Sequence, residues 1–171
     1  MTGVQTCALP ISILEHRGQR YVLWSGWHDE RDEQRGGRGA ARAPAPVAAV
    51  DFARLYTGDW HEIAFRPNWA TDGCVAGITR YTPKTEPNQV HVRDSCRDKT
   101  LDGPEKVVEG TGHILDPGTN AKIRADYFLF VSRETWIAAL ADDYSWFISV
   151  TPDFGEVNIF TRNPQPGQKL I

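Results

Sequence analysis

From residue 58 onward, apolar and polar residues alternate in short runs, and Pro, Gly, Asn and Asp separate the runs at close spacing. Alternation with period two, broken by turn formers, predicts β-strands joined by tight reversals. Eight segments follow, at roughly 58–66, 75–82, 89–96, 106–115, 121–130, 135–141, 146–150 and 157–162. The breakers between them are Pro83 to Asn88, Asp102-Gly103-Pro104, Asp116 to Asn120, Asp142-Asp143 and Asp153-Phe154-Gly155. Connections this short make successive strands antiparallel neighbours. An open sheet of that size would leave two edges to protect, and closing it removes both. The expected fold is therefore all-β, a meander barrel or sandwich, and the favoured form is an eight-stranded antiparallel up-and-down barrel whose interior can hold one small ligand.

The faces are clearest in the fifth segment, where Lys122, Arg124 and Asp126 point one way and Ile123, Ala125 and Tyr127 the other. The charged set is expected to face water. In Trp146-Phe147-Ile148-Ser149-Val150 both faces are largely apolar, so one lines the interior while the other needs an outer cover. The chain runs from Asn163 to Ile171 as though an amphipathic element were beginning, and a C-terminal helix cut short is expected there.

The N-terminal quarter has a different character. Residues 1–12, MTGVQTCALPIS, resemble a translated sequencing-library adapter and are set aside before any fold is considered, Cys7 with them. Residues 13–40 crowd Arg and Gly together with no sustained apolar period, which fits either a solvated linker or upstream DNA read in a wrong frame. Ala41 to Val50 is Ala/Pro-rich and reads as an extended linker, and its Ala41-Arg42-Ala43 would suit the end of a signal peptide. The expected organisation is a leader over 1–48 and one barrel domain over 49–171.

Composition narrows the function. The chain has 171 residues, 40% of them apolar and 24% charged, with a formal charge of −3. That balance gives no reason to expect a nucleic-acid partner, and no apolar run approaches the ~18 residues of a membrane helix. Cys74 and Cys96 lie at similar distances on either side of the Pro83 to Asn88 reversal, so folding brings them opposite each other. A disulfide, and with it an oxidising compartment, is expected, two buried thiols being the alternative. His28, His61, His91 and His113 lack partners at metal spacing, and Asp142-Asp143 reads as a turn former. No nucleophile elbow, catalytic triad order or phosphate loop is present. Neither metal nor cofactor is expected.

Gly58-Asp59-Trp60-His61-Glu62-Ile63-Ala64 resembles the opening motif of the lipocalins, Asp142-Asp143-Tyr144 their Asp-x-Tyr turn, and Thr161-Arg162-Asn163-Pro164 their closing Arg motif. The similarity spans about 51–168 and is nearest to the bacterial lipocalins. His61 and Asn163 depart from the usual residues, and no lipobox cysteine precedes the domain.

The resemblance implies that Trp60 crosses the closed barrel end with the Arg162 guanidinium on its indole, the competing role for Trp60 being a ligand contact. It implies binding and transport or storage of a small hydrophobic molecule such as a fatty acid or lysophospholipid, in a periplasmic or secreted monomer or dimer. A lost N-terminal signal or anchor would allow association with an outer membrane.

Matching alternation to the family pattern turns Thr79, Tyr81, Val92, Ile123, Tyr127, Trp146, Ile148, Val150, Asn158 and Phe160 inward, with Trp69 near the mouth. An inward Tyr81 and a Cys74–Cys96 bridge demand opposite faces of one strand unless a bulge intervenes. A non-enzymatic binder is expected. The rivals are an enzyme acting on an isoprenoid-like substrate, which needs Glu62 or Asp94 inside the barrel, and a partner-binding barrel filled by its own side chains.

Overall fold

The computed structural model describes residues 12–16, 19–23, 43–66, 71–128 and 130–166. Near the N-terminus, β1 (Ser12–His16) and β2 (Gln19–Leu23) form an antiparallel hairpin, with Ser12 opposite Leu23 and His16 opposite Gln19. No element was expected there. The β-prone Ile13, Tyr21 and Val22, around a two-residue connection, are enough to pair locally although the surrounding Arg/Gly-rich composition masks them.

The main body is a closed barrel of eight antiparallel strands: β3 (Gly58–Phe65), β4 (Cys74–Pro83), β5 (Gln89–Asp98), β6 (Glu105–Ile114), β7 (Lys122–Asp126), β8 (Ser132–Leu140), β9 (Trp146–Val150) and β10 (Val157–Thr161). Each pairs with the next in sequence, and β10 returns to β3, so no edge remains. The fold expected from the alternation is thus observed. β7 is shorter than the 121–130 segment because the chain leaves the ladder after Asp126. Only Thr111–Ile114 of the longer β6 finds a partner on it.

The strap preceding the barrel is not a free linker. The Val47 N–H donates to the Ile137 carbonyl and the Val50 N–H to that of Thr119, and the Val50 side chain is buried. The strap leads into a single helical turn, α1 (Phe52–Leu55), whose N-cap Asp51 accepts from the Arg54 N–H.

The end of α1 and inward residues of the lower strands form the apolar core: Leu55, Tyr56, Trp60, Val90, Ile137 and Phe147 are fully or almost fully buried. Gly112 of β6 keeps this layer tight, since a Cβ there would lie 2.7 Å from Ile123 Cδ1 and 2.8 Å from Val90 Cγ2. The charged row of β7 faces outward, where Lys122 sits over the Trp136 ring of β8 at 4.9 Å.

The disulfide joins Cys74 and Cys96, with Cα atoms 5.5 Å apart. A bulge between Val75 and Ile78 makes it compatible with an inward Tyr81. The extra residue exchanges the faces of β4, so Cys74 and Tyr81 turn inward although seven positions separate them. Ala76 takes the left-handed backbone at φ 53° that the bulge requires.

The expected facing of β9 is corrected. Asn158 and Phe160 line the interior, and across the β9–β10 ladder they stand opposite Ser149 and Phe147. Trp146, Ile148 and Val150 therefore occupy the outer face, where all three are nonetheless buried. Alternation could not decide between the faces because both carry large apolar residues and only Ser149 interrupts them.

Candidate functional site

One barrel end is sealed from the sequence upward. Trp60, the third residue of β3, lies fully buried across the floor and donates from its indole to the Leu55 carbonyl at 2.8 Å. Arg162, just past β10, stacks its guanidinium 3.6 Å from the centre of that indole. It also donates to the carbonyls of Thr57 (2.7 Å), Asp59 (2.9 Å) and Arg54 (2.6 Å). Gly58, at φ 71°, lets the chain enter the strand beneath it. On the other side of the floor the turn residue Tyr144, also left-handed at φ 61°, accepts the Asp51 N–H on its hydroxyl at 2.7 Å and carries the Arg54 guanidinium over its ring at 4.0 Å. Asp142 begins that turn. Arg162 thus lies on the Trp60 indole at this end of the barrel.

Above the floor the strands enclose a small void of about 30 Å³. Of the residues expected to face inward, Thr79, Tyr81, Val92, Ile123, Tyr127, Asn158 and Phe160 line it together. Trp146, Ile148 and Val150 do not, for the reason given above, and Trp69 falls outside the described residues. Asp94, Ala125, Arg133, Thr135 and Ser149 complete the wall. Arg133 was missed because the sixth predicted segment began at Thr135. The alternation Arg133, Thr135, Ile137 extends that segment upstream and is the signal that could have found it.

The void is apolar below and polar above. Val92, Ile123 and Phe160 meet the floor, where Phe160 stacks on Phe147 at 4.8 Å and Phe147 meets Trp60 edge-on at 4.7 Å. On the mouth side, Asp94 of β5 accepts from the Thr79 hydroxyl at 2.5 Å and from the Tyr127 hydroxyl at 2.5 Å. Arg133 of β8 pairs with Glu156 at 2.5 Å, and the Asn158 amide oxygen, turned toward it, accepts from the same nitrogen. Glu62 of β3 reaches into this group past Gly77, where a Cβ would lie 2.7 Å from its carboxyl oxygen. Its register partner Phe160 sets it on the inner face.

These groups shift one another. Burial pushes the Glu62 carboxyl up to about 7 against the favourable Arg133 charge, and Asp94 and Glu156 push the same way as burial. Burial, followed by the Asp94 charge, raises the phenols of Tyr81 and Tyr127, so both remain protonated donors near neutrality. Burial alone would lower Arg133. Glu156, Tyr127, Asp94 and Glu62 outweigh it and hold the guanidinium charged. The Arg133 Nε is buried without a hydrogen-bond partner among the described residues. No cluster of His, Cys, Asp and Glu among the described residues could hold a metal ion.

A profile of the lipocalin-like domain matches residues 50–170. Among solved structures, insecticyanin from the tobacco hornworm Manduca sexta is similar, with a TM-score of 0.56 at 22% identity, over 74% of this chain and 73% of that one. Apocrustacyanin C2 is similar with a TM-score of 0.50 at 17% identity, over 74% of this chain and 77% of that one. At such identities the likeness is one of fold. No curated protein matches the chain by sequence.

Proposed function

Since the chain belongs to the lipocalin-like domain family, we propose that its barrel binds one small hydrophobic or amphipathic ligand of lipid class, for transport or storage. The observation that carries this reading is a small void between the strands with an apolar floor side and a polar mouth side, set above a sealed end. Apolar walls supply affinity and a few polar groups fix orientation. The residues proposed to touch the ligand are Thr79, Tyr81, Val92, Ile123, Tyr127 and Phe160, with Asn158 beside them. Trp69 remains a proposed mouth contact. A void of about 30 Å³ has the room of about one water, so entry requires lining side chains to swing aside. The Cys74–Cys96 bridge supports an oxidising setting, periplasmic or secreted.

The test is displacement of the neutral dye N-phenyl-1-naphthylamine from the full chain by medium-chain lipids, beside an Ala125→Phe variant. Ala125 lines the void, and a benzyl group there fills it. Saturable displacement by micromolar lipid, lost in the variant, is the expected result. Absence of dye and lipid binding in the parent chain overturns the proposal.

The void's small size favours a second reading, a barrel filled by its own side chains that docks a partner. The exposed Phe128 and Phe130 near the mouth would then belong to its surface. An enzymatic reading also keeps one support, because Glu62 and Asp94 both face inward. Turnover of a bound apolar substrate that disappears in Glu62→Gln would establish it.

A further inference from the structure

We propose that the cavity selects an amphiphile whose polar end is a hydrogen-bond donor, above all an alkylammonium, and rejects one that ends in a carboxylate. The inference rests on the ligand-binding reading and narrows its ligand class. It comes from the charges that the strands bring to one place. Three carboxyl groups gather around one guanidinium: Asp94 on β5 and Arg133 on β8 line the void, while Glu62 on β3 and Glu156 just before β10 interact with Arg133 from beside the lining. That cation is already matched by Glu156 at 2.5 Å. Among the described residues no cation forms a salt bridge with Asp94, and its charge acts on Arg133 from a distance. It is held by two neutral hydroxyls, those of Thr79 and Tyr127. The pocket therefore holds excess negative charge whether or not Glu62 carries a proton.

Hydrogen-bonding capacity points the same way. Thr79 and Tyr127 spend their only hydroxyl protons on Asp94, which leaves lone pairs, and Asp94 keeps further acceptor capacity. Among the lining residues the Tyr81 phenol, the Thr135 and Ser149 hydroxyls and the buried Arg133 Nε are donors that remain, and of these only the guanidinium, already paired with Glu156, carries charge. An incoming carboxylate would meet like charge in a desolvated site, where such pairs are costly, and would have to compete with Glu156 for Arg133. An ammonium would reach Asp94 and cancel the excess.

Dodecylamine, dodecanol and dodecanoate share one tail and separate the head groups. Each is titrated into the full chain at pH 8, below its micellar concentration, with dye displacement as the readout. The expected order is amine, alcohol, acid, with the amine at least tenfold tighter than the acid. Asp94→Asn should bring that ratio to about threefold or less. Glu62→Gln, which preserves shape, is the second variant should Asp94→Asn not fold, and it should narrow the ratio as well. An acid that binds as tightly as the amine overturns the inference and leaves ligand binding standing. A preference unchanged in both variants overturns it too, since other groups would then set it. If none of the three binds, the ligand-binding reading fails and takes the inference with it.

Discussion

The Arg162 guanidinium meets three backbone carbonyls and one indole face at once. Its planar fork fits that arrangement and an ammonium does not. Arg162→Ala is expected to cost about 2 to 3 kcal/mol in urea unfolding, and Arg162→Lys to recover less than half of it. The pair Trp60 and Arg162 was legible because both residue types sit in short motifs with fixed surroundings. Glu62 was named from sequence only as a residue to inspect, since its field depends on Arg133, Asp94 and Glu156, which lie far away along the chain. Its native pKa of about 7 stands above the ordinary 4.5, so the folded state holds the proton more tightly. The stability this gives is complete below about pH 4.5 and is lost as pH rises through 7. Glu62→Gln should match the parent chain near pH 4. It should become more stable by on the order of 2 kcal/mol at pH 8, allowing for partial solvent access of the carboxyl. Urea midpoints at the two pH values check this, and a pH-independent difference would contradict it.

At the level of strands, the period-two pattern was sufficient wherever one face is charged. β7 shows this, with Arg124 out and Ile123 in. It failed in β9, where Trp146, Ile148 and Val150 are as apolar as the inward Phe147 and only pairing with β10 settles the register. The bulge in β4 was inferred as a condition rather than seen, because one extra residue leaves no mark in composition. It holds the bridge that closes a separation of 22 residues. Replacing Cys74 and Cys96 by Ser should therefore lower unfolding free energy by about 3 kcal/mol, and reductant should do the same to the parent chain only. Gly112→Ala tests the tight layer between β5, β6 and β7. Its methyl would press on Ile123 and Val90, and a loss of about 1 to 3 kcal/mol is expected by thermal or urea unfolding.

For the molecule as a whole, a floor packed with aromatics and a mouth lined with charge divide the barrel along its axis. The strap over 43–50 belongs to that body. A chain beginning at Phe52 loses the Val47–Ile137 and Val50–Thr119 hydrogen bonds and the contact of Asp51 with Tyr144. It should be less stable by about 3 kcal/mol than one beginning at Ala40. The central claim is that a ligand enters between floor and mouth, against the inner face. Methyl NMR of the full chain titrated with dodecanol tests it most directly. The account predicts saturable shifts of the Val92 and Ile123 methyls while those of Ile148 and Val150, on the outer face of β9, stay in place. Shifts confined to the outer-face methyls or to Val131 in the exposed loop, or none at saturating dodecanol, would contradict it.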